Sequence, residues 1–213
     1  MLQLIGLFMN GLRVFLLLGM MLLSAPVWAE ATVAQIEALT AAEMPKVGSI
    51  LLQQQRNLGV KCANVKVLKA SALSITEPVV LGADGKPTAG SWHVRYVVDA
   101  CGTAGLRMVG FTAVKGRVAM DALVPGETLA DRKLQDDVMR SFALAGQVAM
   151  PKCGDEPVIR ETKVRVYPQT AKDKWQEIWI GRMCGRDLGQ LVDFMPTKDG
   201  TTFKMSVPNY SAK

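Results

Sequence analysis

The sequence has a single histidine, His93, and its four cysteines, Cys62, Cys101, Cys153 and Cys184, nowhere stand in C-x-x-C spacing. A catalytic triad or a histidine-based metal cluster would have to be built around that one imidazole. The residue 83 positions further on, where the chain repeats itself, is Gln176, so no role common to both copies attaches to it. It reads as a solvent-facing strand residue, because general acid–base work needs a positioned partner and none is indicated. A zinc site of the usual close-spaced thiolates is equally unsupported, and no metal is expected. There is no G-x-S-x-G, no H-E-x-x-H and no phosphate-binding glycine loop. The sequence therefore nominates no catalytic residue and no cofactor, although a Ser-Lys or paired-carboxylate mechanism needs no such motif.

Strong charge is also missing. From Glu30 onward 24 basic side chains face 19 acidic ones, a net charge of +5 spread along the chain without a basic block. Tracking a phosphate backbone requires such a block, so no nucleic-acid partner is expected.

What the chain does have begins at its amino end. Arg13 is the only charge before Glu30, Val14 to Leu23 is apolar, and Ser24-Ala25-Pro26-Val27-Trp28-Ala29 follows. A secretory signal needs a positive n-region, an apolar stretch of roughly 7–15 residues and small side chains at the exit. Residues 1–29 are read as such a signal, with the mature chain starting at Glu30 in the periplasm or outside the cell. The rival is an uncleaved anchor, since residues 1–23 approach the roughly 20 apolar residues that span a bilayer. Arg13 inside that span speaks against it, and no stable membrane anchor is expected after cleavage.

The mature chain contains a repeat. Trp92, Tyr96, Cys101, Gly102, Val109 and Phe111 recur, shifted by 83 positions, as Trp175, Trp179, Cys184, Gly185, Val192 and Phe194. Lys61-Cys62 corresponds to Lys152-Cys153 once an insertion is placed in the turn-forming segment from Leu81 to Pro87. Ahead of each Lys-Cys pair lies a helical pattern. Leu134, Val138 and Phe142 recur at intervals of four in the second copy, with Thr128 as the cap. In the first, Val33, Ile36 and Leu39 mark a short helix that Pro45 ends, and Val47 to Arg56 form another.

Strands follow. Val65 to Val67, Trp92 to Ala100, Leu106 to Val114 and Arg117 to Leu123 form one set; Lys163 to Tyr167, Trp175 to Met183, Leu191 to Met195 and Thr201 to Val207 form the other. The expected fold is α+β, an internal duplication of a helix plus antiparallel meander, with repeats over residues 30–126 and 127–213. In each copy the first cysteine opens strand one and the second closes strand two. Adjacent antiparallel strands bring those ends together, which predicts Cys62–Cys101 and Cys153–Cys184.

Candidate ligand contacts are few. Trp92 with Tyr96, and Trp175 with Trp179, share a strand face and offer a stacking platform, although such rings, worth about 150–250 Å² each, are ordinarily core. Glu177 lies between the second pair and on an apolar face would need a partner. Arg182 and Arg186, with Arg160, Lys163 and Arg165 on the preceding strand, could hold a carboxylate or phosphate if those strands pair. The stretch Trp175-Gln176-Glu177-Ile178-Trp179 followed by Cys184-Gly185 resembles a W-x-E-x-W-x-x-x-x-C-G strand motif of uncharacterised small bacterial envelope and periplasmic proteins. That resemblance implies export and carries no activity; the first copy departs from it at Val94 and Tyr96. The expected role is an exported binding or envelope-accessory protein whose partner is an unknown envelope protein or small ligand. The alternative is a cell-wall- or peptide-directed hydrolase or isomerase.

Overall fold

The computed structural model describes residues 29–206 and the backbone of residues 209–211. The expected signal segment therefore lies, but for Ala29, outside the described residues. Strand β1 (Ala29–Glu30) leads into helix α1 (Val33–Asn57) and strands β2 (Val65–Leu81), β3 (Pro87–Ala100), β4 (Thr103–Val114) and β5 (Arg117–Ala122). Helix α2 (Arg132–Ala149) and strands β6 (Val158–Val166), β7 (Trp175–Met183), β8 (Arg186–Thr197), β9 (Gly200–Met205) and β10 (Asn209–Ser211) follow. The fold is α+β and mostly antiparallel: one sheet runs β1-β2-β3-β4-β5, the other β10-β8-β7-β6 with β9 also on β8. Among the described residues no helix is long and apolar enough to cross a membrane.

Helix α1 is continuous, correcting the break expected at Pro45. A proline inside a helix forfeits one backbone hydrogen bond and costs about 3 kcal/mol. Ile36 before it and Val47 and Leu51 after it are all fully buried against the first sheet. Burial of each is worth about 1.5–3 kcal/mol, so tertiary packing outweighs the break. Thr32 and Gln35 close the amino end as a reciprocal capping box. In α2 the cap is Asp131, whose Oδ1 accepts from the Leu134 amide at 2.9 Å, and not Thr128 as expected. Thr128 is buried three residues earlier, where its hydroxyl accepts from the Ala130 amide at 3.1 Å. Leu134, Val138 and Phe142 do form the buried stripe of α2.

Strand β2 is far longer than the three residues expected. Its register against β3 slips repeatedly between Val67 and Leu81, and each bulge inverts the alternation on which a period-two pattern depends. Strands β6 and β8 likewise run beyond the segments expected, and β10 adds a short edge to β8.

Three hairpins turn on two residues of positive φ, Cys101-Gly102 (53°, 83°), Lys115-Gly116 (51°, 78°) and Cys184-Gly185 (48°, 74°). Both central residues left-handed defines the type I′ turn, whose twist matches that of the strands it joins. The recurring Cys-Gly pair is thus a hairpin apex that also carries a sulfur. Cys62 bonds to Cys101 and Cys153 to Cys184, with Cα separations of 5.8 and 6.0 Å. Two disulfides point to an oxidising, extracytoplasmic compartment.

The connection from Leu123 to Asp131 is buried between the two sheets through most of its length. Gly126 N donates to the Leu106 carbonyl on β4, and Glu127 N to the Thr162 carbonyl on β6. The Thr162 hydroxyl accepts from the Thr128 amide at 3.0 Å and donates to the Pro125 carbonyl at 2.9 Å. Only glycine fits at 126, because its φ is +111° and a Cβ there would lie 2.3–2.6 Å from Thr162 atoms.

Candidate functional site

Alternation along β7 puts Trp175, Glu177 and Trp179 on the face that packs under α2. Glu177 is fully buried, and its carboxylate collects three N–H donors. Oε1 accepts from Trp175 Nε1 at 2.9 Å and from the Leu129 amide at 2.8 Å; Oε2 accepts from Trp179 Nε1 at 2.8 Å. The W-x-E-x-W spacing is therefore a staple that satisfies two indoles and ties the linker to β7. In the first sheet Val94 stands where Glu177 would, and Trp92 Nε1 instead donates to Thr40 Oγ1 on α1 at 2.9 Å. Trp92 stacks on Phe111 with ring centroids 5.3 Å apart, and Trp175 on Phe194 at 4.7 Å.

Trp92, Tyr96 and Trp179 are at most 1% exposed. A ring closed on both faces has none to offer a ligand, so these residues are core and not a platform; Trp175 alone keeps a partly open edge. The Tyr96 hydroxyl is buried without a hydrogen-bond partner, and burial pushes its pKa up to about 12.

The basic cluster on β6 and β7 is brought together, since Val158 pairs with Arg182 in the register of those strands. Two carboxylates, Asp187 and Glu161, offset part of its charge. Arg182 binds Asp187 through two hydrogen bonds, Nε to Oδ1 at 2.8 Å and Nη2 to Oδ2 at 3.2 Å, which holds its pKa above the usual guanidinium value. Arg160 lies 3.8 Å from the same carboxylate, Lys163 lies 3.3 Å from Glu161, and Arg186 is exposed at the hairpin apex. Asp155 approaches Cys153 and Cys184, but those sulfurs are bonded to one another and so are not free thiolate ligands.

A cleft of about 660 Å³ lies between the halves, with Gln55 and Arg107 on one wall and Glu127, Arg160 and Glu161 among the residues of the other. Arg107 pairs with Tyr96 across the β3–β4 ladder and so faces α1. There Gln55, 1% exposed, turns its amide oxygen to accept from Nε and Nη2, both at 2.7 Å. Nη1 donates to the Leu106 carbonyl at 2.7 Å. Burial lowers the Arg107 pKa, and Glu161 across the cleft works against that shift. The result is a guanidinium held at a polar junction by three hydrogen bonds, with two of its five N–H groups uncommitted among the described residues.

His93 sits on the opposite face of β3 from Trp92, as expected, half-buried and lining a cleft together with Leu129 and Asp131 of the linker. Its pKa is lowered by burial first and Arg95 second, with Asp131 opposing. Among the described residues no hydrogen bond joins it to a hydroxyl or carboxylate. Gln55, Arg95 and Arg107 escaped the sequence reading. The signal for Arg107 was present: counting back by twos from Phe111 and Val109 reaches it, a charge on an inward face, just as Glu177 is.

No family model, no curated protein and no solved structure matches the chain.

Proposed function

We propose that this chain is an exported periplasmic binding or envelope-accessory protein, one disulfide-locked helix-and-meander module written twice, whose junction cleft takes a small polar ligand. Several features support the duplication: the same order of helix and meander, the same Cys-Gly hairpin apex, and the same stacked pair of Trp on β3 or β7 with Phe on β4 or β8. The modules meet around Pro125-Gly126. Export is supported by the two disulfides and by the signal-like first 29 residues.

The observation that carries the binding role is Arg107. Ligand sites favour the interfaces between structural units, and specificity comes from a few fixed polar groups in a cleft of this size. Gln55 and the Leu106 carbonyl fix the guanidinium before any ligand arrives, so little side-chain entropy is lost on binding. Glu127, which accepts from the Val164 amide through Oε2, and Glu161, beside Lys163, put negative charge on the opposite wall, which makes a small zwitterion such as a short peptide the best-matched class.

Calorimetric titration of the oxidised mature protein with a panel of dipeptides and with uncharged analogues tests this. Binding of charged peptides that falls at least tenfold in Arg107→Lys, which keeps the charge but loses the fork, supports the reading. Binding unaffected by that change, or no binding across the panel, removes it.

A further inference from the structure

A second cleft lies on the other side of the linker. On the face of the first sheet turned away from α1, His93 and Arg95 of β3, Ser74 and Thr76 of β2, and Leu129 and Asp131 of the linker enclose about 540 Å³. Arg95 Nη2 donates to the carbonyls of Glu127 and Thr128 at 3.0 and 2.8 Å, while its Nε is buried without a partner. Among the described residues no carboxylate forms an ion pair with this guanidinium, and Nη1 has no protein acceptor. Ser74 stands directly opposite His93 in the β2–β3 register, and neither side chain is engaged in a hydrogen bond. A half-buried cation answered only by neutral carbonyls is incompletely compensated, and charge-assisted bonds to an anion are about twice as strong as neutral ones.

We propose that this cleft binds a small oxyanion, a carboxylate or phosphoryl group, with Arg95 as its counter-charge and His93 and Ser74 as further donors. Of the other charges around it, Asp131 lines the cleft and caps α2 through Oδ1, so its carboxylate works against an anion there and Arg95 has to outweigh it; Glu77 of β2 accepts from the Ser91 hydroxyl at 3.1 Å, and Arg132 pairs with Asp121 of β5. Lys133 and Asp136 of α2 face the adjoining trough, to which β4 brings only Gly110, Phe111 and Thr112. The amino end of α2 adds its partial positive charge. This site shares no lining residue with the Arg107 cleft, and neither proposal depends on the other.

The lone histidine makes the test clean, because one imidazole proton signal reports the site. A bound anion favours the imidazolium and raises the His93 midpoint. In the oxidised mature protein, inorganic phosphate or acetate at about 20 mM should raise that midpoint by about half a unit or more over sodium chloride of equal ionic strength. A larger effect of phosphate assigns the site to phosphoryl groups, and a larger effect of acetate to carboxylates; either supports the proposal. In Arg95→Gln the anion-dependent rise should vanish. Because that change also frees two linker carbonyls, Ser74→Asp, at an exposed position, provides the second variant: its own carboxylate raises the midpoint and leaves phosphate nothing to add. A rise equal to that in chloride, or one that survives in both variants, overturns the proposal.

Discussion

Replacing Glu177 with alanine strips the acceptor from three N–H groups at once, the buried indole of Trp179 and the part-buried Trp175 indole and Leu129 amide. An unpaired buried donor costs about 1–3 kcal/mol, and the truncated side chain adds a cavity. Some relaxation, with water reaching Trp175 at its partly open edge, leaves an expected loss of about 3–6 kcal/mol. That is comparable with the whole stability of a typical domain, about 5–15 kcal/mol. Glu177→Gln keeps the shape and one oxygen but turns an amide N–H₂ towards a donor, and should cost about 2–3 kcal/mol. Urea denaturation of the oxidised protein, followed by tryptophan emission and far-ultraviolet dichroism, gives both values. A double-mutant cycle with Trp179→Phe separates the staple from general packing: in the alanine background the orphaned indole is already a liability, so removing it should cost less by about 1 kcal/mol or more. Glu177→Ala within about 1 kcal/mol of wild type, or a cycle additive to within about 0.5 kcal/mol, would refute the staple.

Gly126→Ala should cost more than about 3 kcal/mol, because the new methyl meets Thr162 backbone in a left-handed conformation, whereas Gly59→Ala, with open space around it, should cost only about 1 kcal/mol; urea midpoints of the two variants decide it. Removing either disulfide by paired Cys→Ser changes frees a loop of 39 or 31 residues and should lower stability by about 3–4 kcal/mol in the chain-entropy model, measured by the same denaturation. Alkaline titration at 295 nm should show one of the three tyrosines ionising near pH 12, and Tyr96→Phe should abolish that step. Since the folded pKa lies above the unfolded value of about 10, the corresponding stability is intact below pH 10 and is lost as pH climbs towards 12.

Residues whose pattern is local were legible in the sequence. The Trp-Val-Tyr-Val alternation of β3 and the Leu134–Val138–Phe142 stripe of α2 signal burial by period alone, and the two cysteines of each half pair because antiparallel neighbours must meet at their ends. What was hidden depends on partners distant in sequence. Pro45 looks like a terminator until the sheet that α1 packs against is present to outweigh it. Strand β2 has no readable period because its bulges shift the phase. Thr128 has the chemistry of a helix cap, yet tertiary burial beside Thr162 claims it and Asp131 takes over. Glu177 was visible as a charge on an inward face, but its partners include an amide 48 residues away. Arg107 gave the same inward signal and matters only because α1 brings Gln55 to it and the second half supplies the facing wall.

The most direct test of an exported module locked twice by its own sulfur bridge is non-reducing peptide mapping, with amino-terminal sequencing, of the protein released from the periplasm of expressing cells. The expected result is a chain beginning at Glu30 with Cys62 linked to Cys101 and Cys153 to Cys184. Free thiols, links crossing between the halves, or a retained amino-terminal segment would contradict it.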